Sequence, residues 1–141
     1  MTSDSSRTAA TALAVAVGGA VGAALRYQLW RLWPDDIAEF PLTTFAINVM
    51  GCFVFGVCAG LLSDSDRGLA TIVRALVMFG LLGGFTSFSI FAVQGATLTS
   101  PRQGALYLVV TPLVAVSAAW AGRASASALT RSTARAGRHA R

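Results

Sequence analysis

This 141-residue chain has no lysine, one histidine and two cysteines, and only 12% of it is charged. A soluble domain of this size carries about a quarter charged residues. With 55% hydrophobic residues and a mean hydropathy of +0.64, the chain has too little polar surface to cover itself in water. His139 stands alone in a polar tail and suggests no chemistry. Cys52 and Cys58 lie in one apolar run at neither a redox nor a zinc spacing, and read as small buried residues. There is no Ser/His/Asp or Cys/His constellation, no HExxH motif and no phosphate loop, which argues against an enzyme. The acidic residues Asp4, Asp35, Asp36, Glu39, Asp64 and Asp66 all fall outside the apolar runs. The intramembrane carboxylate on which proton-coupled transporters commonly rely is therefore missing. All 11 basic residues are arginines, giving a net charge of +5 and a pI near 10.6. Nucleic-acid binding would need them on one basic face, but they sit mostly at the ends of apolar runs and in the tail.

What is present are four long apolar runs, at about 9–32, 42–62, 75–98 and 105–121. They predict an all-α integral membrane protein with four transmembrane helices in one domain, 9–122. A polar N-terminal tail, 1–8, precedes the domain, and an Arg/Ala/Ser-rich cytoplasmic tail, 123–141, follows it. The first run is a retained span, because Asp4 offsets Arg7 and the run is too long for a signal core. Each of the first three spans carries a G-x-x-x-G pair: Gly18/Gly22, Gly56/Gly60 and Gly80/Gly84. Such pairs let helix backbones approach closely. Tyr27, Trp30 and Trp33 mark the exit end of span one, and Arg26 lies about a turn deeper. Arg26 either snorkels or sits at a pore mouth. Pro112 predicts a kink in span four, and the C-terminal tail forms either an interfacial helix or a disordered segment. Four spans put both termini on one side of the membrane. That side carries Arg7, Arg67, Arg74, Arg123, Arg131 and Arg135 near span ends, against Arg31 and Arg102 on the other. The bias places both termini in the cytoplasm and the chain in the cell membrane as a multi-pass protein.

The third run holds the densest signal. Residues 79–91, FGLLGGFTSFSIF, pack three glycines, three hydroxyls and four phenylalanines together. Glycines weaken a helix, and a broken helix is tolerated in hydrocarbon only where protein or a polar cavity meets the freed groups. Thr44 and Asn48 share a face of span two, one turn apart. An asparagine there either bonds a neighbouring helix or lines a polar path. With Thr86, Ser87, Ser89 and Gln94 it forms an inventory of neutral donors, beside phenylalanine rims that carry partial positive charge. Together they could replace the hydration of a small anion without a buried fixed cation. Alternatively, Phe88 and Phe91 serve packing alone.

Gly18-Gly19 with Gly22-Ala23 and Arg26-Tyr27, then Thr44, Asn48 and Gly51, then residues 83–91, GGFTSFSIF, resemble the CrcB/Fluc fluoride channels over about residues 12–122. The resemblance implies a passive fluoride-selective channel that exports fluoride from the cytoplasm. It implies two four-helix subunits inserted in opposite orientations, with two pores along their interface. By motif, Gly83 and Thr86 match the residues whose backbone carbonyls hold a central structural Na+ at the break in span three. Phe88, Phe91 and Asn48 match the fluoride path, with Ser87 beside them in the motif, and Tyr107 and Thr111 look like its polar track on span four. Arg26 resembles the vestibule arginine.

Three positions depart from the family pattern: Thr43 stands for a common glycine, Ser87 for a threonine, and Gln94 where glutamate is frequent. The partner is either a second copy in the opposite orientation or an oppositely oriented paralogue. A subunit that must insert both ways should carry little arginine bias, and the bias here raises the paralogue as a hypothesis. Two other classes remain in view. A small multidrug-type antiporter would need a membrane-embedded acid, which is lacking, and a non-transporting tetraspan scaffold would use its glycine pairs for packing alone.

Overall fold

The computed structural model describes residues 2–62 and 68–139. Those residues form helices and connecting turns, with no strand among them. Helix α1 spans Thr2–Leu32 and α2 spans Leu42–Leu61. The third run is composite: α3 (Gly68–Arg74) passes into a π-helical stretch (Ala75–Leu81), then α4 (Leu82–Phe85), a break, and α5 (Phe88–Thr97). Helix α6 runs from Pro101 to His139 with Pro112 inside it. Four segments are long and apolar enough to cross a membrane: Ser5–Leu32, Leu42–Leu61, Ala70–Thr97 and Pro101–Arg131. Their most apolar windows are only 17% to 28% buried. An apolar surface this large is untenable in water but is what lipid and partner helices require.

The helices pair off. Helix α2 packs against α6, and α1 packs against the π-helical stretch and α4. Beyond the break, α5 leaves α1 and packs on α6. The break is thus where the third span changes partners. Glycine makes the α1 contact possible: a Cβ at Gly22 would strike the Leu81 carbonyl, and one at Gly84 would strike that of Gly19. The 18/22 and 80/84 pairs therefore belong to one seam, whereas Gly56 and Gly60 face α6. The π-helical widening, in which the Leu82 N–H bonds the Val77 carbonyl, has no counterpart in the expectation of a plain helix before the break.

Helical structure also reaches beyond the apolar runs. It starts at Thr2, includes Gly68–Arg74 where a polar loop is expected, and continues to His139 through the tail. Ala and Arg are strong helix formers, so the polar extension of α6 needs no apolar face to remain helical. Part of the expected loop between spans two and three, residues 63–67, lies outside the described residues.

Candidate anion path at the helix break

The break is built by exchange of hydrogen bonds. Thr86 ends α4 in an extended conformation (ψ 157°), with its N–H and Oγ1 both donating to the Leu82 carbonyl at 3.0 and 2.9 Å. Ser87, also extended, is the N-cap of α5, and its Oγ accepts from the Ile90 N–H at 3.2 Å. In an unbroken helix the Ser87 N–H would bond the Gly83 carbonyl. Here it donates to Asn48 Oδ1 at 2.8 Å, while Asn48 Nδ2 donates back to the Ser87 carbonyl at 3.3 Å. Asn48 thus replaces a lost turn with its own amide, and one of its two amide hydrogens remains beyond that clamp. Of the two possibilities for an asparagine in a span, it bonds a neighbouring helix, and the leftover hydrogen leaves the second role available.

The Gly83 and Thr86 carbonyls are among those that lose their intrahelical partners at the break: Gly83, because Ser87 N–H has turned to Asn48, and Thr86, because Ile90 N–H has turned to Ser87 Oγ. The Thr86 carbonyl accepts instead from Arg26 Nη1 at 3.2 Å. Arg26 therefore reaches inward to the break and does not simply snorkel outward. It also lines a cavity of about 140 Å³ with Tyr27, Trp30, Asn48 and Ser87. Gly83 is exposed, and a Cβ there would meet nothing within 4 Å, unlike its neighbour Gly84. Neutral carbonyl oxygens, each with a second lone pair, fit a hard monovalent cation. The described residues hold no cluster of three His, Cys, Asp or Glu that would favour another metal.

On the other side of Asn48, an open-sided groove of about 300 Å³ gathers Asn48, Thr86, Phe88, Phe91 and Thr111. Phe88 is 81% exposed, and its ring centroid lies 5.7 Å from that of buried Phe91. Phe91 in turn meets Tyr107 at 5.2 Å, and Tyr107 meets Phe40 edge-on at 5.1 Å. The Thr111 hydroxyl is buried and has no hydrogen-bond partner among the described residues. Asn48, Phe88, Phe91 and Thr111 are thus brought together. Tyr107 is fully buried behind Phe91 and directs its hydroxyl to Gln94 Oε1 at 3.4 Å, away from the groove. Gly83 stands apart on the exposed face.

Sequence reasoning assigned no role to Asp35, which the structure makes central at one end. Pro41 precedes α2 and offers no side-chain cap. Asp35 caps the helix from a distance, with Oδ1 accepting from the Thr43 N–H at 2.8 Å and Oδ2 from the Thr44 N–H at 3.1 Å. The same Oδ2 accepts from Thr44 Oγ1 at 2.8 Å and from Gln94 Nε2 at 3.2 Å. An acid shortly before an apolar span is the only signal available, because the cap is not local in sequence.

The arrangement is a break in a membrane-length helix, flanked by unspent neutral donors and ring edges, with no catalytic constellation. Comparison with known proteins gives this geometry a context. The chain is 42% identical over 118 residues to the fluoride-specific ion channel FluC 1 of Streptomyces coelicolor, covering 81% of this chain and 76% of that protein. It is 40% identical over 114 residues to the fluoride-specific ion channel FluC of Erythrobacter litoralis, covering 75% and 84%. With the protein of the same name from Rhizobium leguminosarum bv. trifolii it shares 41% over 123 residues, covering 84% and 97%. The family model described as CrcB-like protein, Camphor Resistance (CrcB), matches residues 13–123, which include all of the break and its flanking residues. With four membrane-length apolar helices and a match that covers them, the chain is a multi-pass membrane protein of the CrcB family.

Proposed function

We propose that the chain is one subunit of a passive fluoride-selective channel that exports fluoride from the cytoplasm. The buried Thr111 hydroxyl carries this reading: it has no partner among the described residues, in a groove it shares with the Asn48 amide and the Phe88 and Phe91 rings. An unpaired buried hydroxyl is unfavourable by about 1–3 kcal/mol, and an anion in the groove would remove that penalty. The names of the relatives support fluoride as that anion.

Asn48 donates its remaining amide hydrogen to the ion, Thr111 adds its hydroxyl in the groove, and Ser87 adds its hydroxyl in the cavity on the Arg26 side. Phe88 and Phe91 turn positive ring edges to it. Tyr107 anchors Phe91 and the polar track from behind. Arg26 lends positive potential to the vestibule through its place beside Thr86. Because these donors are neutral, the ion is held weakly enough to leave again. A membrane potential negative inside drives the anion outward with no coupled ion.

The exposed face bearing Gly83 and Phe88 meets a second, oppositely oriented subunit, which closes the open side of the groove. The Gly83 and Thr86 carbonyls of both subunits would hold a structural Na+, which offsets part of the cost of bringing an anion into low dielectric. The membrane domain is 9–122, both termini lie in the cytoplasm, and the arginine bias favours a paralogue over a second copy as partner. No chemical step is required, and the protein is a channel rather than an enzyme. Fluoride efflux from liposomes carrying the purified protein, alone and with a co-encoded paralogue, tests the assignment. Vesicles that stay tight to fluoride with both subunits folded and assembled would refute it.

A further inference from the structure

At the α2 N-terminus an anion is already coordinated by neutral donors, and that anion is the chain's own carboxylate. A helix cap needs only the Thr43 and Thr44 N–H groups. Asp35 takes two more bonds, from the Thr44 hydroxyl at 2.8 Å and, across the subunit, from Gln94 Nε2 at 3.2 Å. A carboxylate only accepts, so the Gln94 amide must turn its nitrogen to Asp35 and its oxygen to the Tyr107 hydroxyl. The Thr44 hydroxyl, the Gln94 amide and the Tyr107 hydroxyl are thereby committed to one network. That network touches the ring chain of the groove through the Tyr107–Phe91 contact at 5.2 Å.

We propose that Asp35 is a tethered anion that competes with the permeating anion for Thr44, which lines the cavity shared by Arg26, Asn48 and Ser87, and through the same network for Gln94, and so limits flux through that cavity. The inference rests on the fluoride-channel reading above. An incoming fluoride in that cavity meets a nearby negative charge and a Thr44 hydroxyl that is already engaged. It passes only when the carboxylate gives up its bonds to the Thr44 hydroxyl and the Gln94 amide, keeping its cap on the α2 backbone. Asp35 is then a flux-determining residue that never needs to touch the ion.

Asp35→Asn removes the charge while keeping one capping oxygen, so it gives up only one of the two backbone bonds of the cap. The full-length protein, with its paralogue where one is needed, is reconstituted in liposomes, and initial fluoride efflux is read with a fluoride electrode. Removing one charge at a partly aqueous mouth should raise the rate about fivefold. Asp35→Ser is measured alongside and should rise in the same direction. A folded Asp35→Asn channel with unchanged or slower efflux overturns the proposal, as does a failure of both variants to fold, which would assign Asp35 to the fold alone. A wild-type protein that passes no fluoride is a different result: the channel reading itself falls, and this inference falls with it.

Discussion

Gly83 and Gly84 are neighbours in one motif and do opposite things. Gly84 sits in the α1 seam, where an added Cβ would collide with the Gly19 carbonyl, a backbone atom that cannot move aside. Gly83 faces open space, with nothing within 4 Å of where its Cβ would be. One glycine is spent on packing inside the subunit, and the other is free of any such duty. The motif therefore has an inner face that holds the fold and an outer face that the fold does not use. The same split separates buried Phe91 from Phe88, which is 81% exposed.

The contrast is broken most directly at the seam. Gly84→Val should prevent accumulation of folded protein, because overpacking already destabilises by about 1–3 kcal/mol when side chains can adjust, and here only backbone is available to adjust. Gly83→Ala should leave the folded chain within about 0.5 kcal/mol of wild type, while weakening the proposed dimer and its proposed stabilisation by Na+. Thermal melting in detergent and size-exclusion chromatography distinguish the two. Equal damage from both substitutions would erase the division into inner and outer faces.

Asn48 tests the boundary between the faces. Asn48→Leu leaves the buried Ser87 N–H without its partner, while the Ser87 carbonyl keeps the Phe91 N–H at 3.4 Å. A loss of about 1–3 kcal/mol per unsatisfied group is expected, together with loss of fluoride efflux. Phe88→Ile should abolish efflux just as fully, yet shift the melting temperature little, since Phe88 is exposed in the subunit. If Asn48→Leu melts like wild type, the clamp on Ser87 contributes nothing to the fold.

Much of this was legible beforehand. The four spans follow from apolar runs alone, and the break follows from glycines and hydroxyls where lipid rewards neither. What escaped depends on contacts that only folding makes. Arg26 and Thr86 are 60 residues apart, and Asn48 and Ser87 are 39 apart. No local pattern states that a lost helical bond will be replaced by an amide from another span. The Asp35 cap is hidden in the same way, because the expected capping position holds Pro41. The helical tail could have been anticipated, since alanine and arginine need no core to favour a helix. Its Arg/Ala/Ser composition left disorder open only if tertiary packing is taken as the sole source of helix stability.

Thr111 offers the smallest structural effect and the sharpest division between fold and function. Its hydroxyl is buried in the subunit without a partner, so it adds nothing to the subunit's stability and requires desolvation. Thr111→Val replaces that hydroxyl with a methyl group of nearly the same shape. If the hydroxyl had no task, the variant would be as stable or up to about 1 kcal/mol more stable, with transport unchanged. If the hydroxyl is kept for an anion, stability should change in that same favourable direction while fluoride efflux falls several-fold. Melting and efflux measured on one preparation separate these outcomes. A residue whose removal improves the fold and impairs the flux can only have been retained for what passes through the groove.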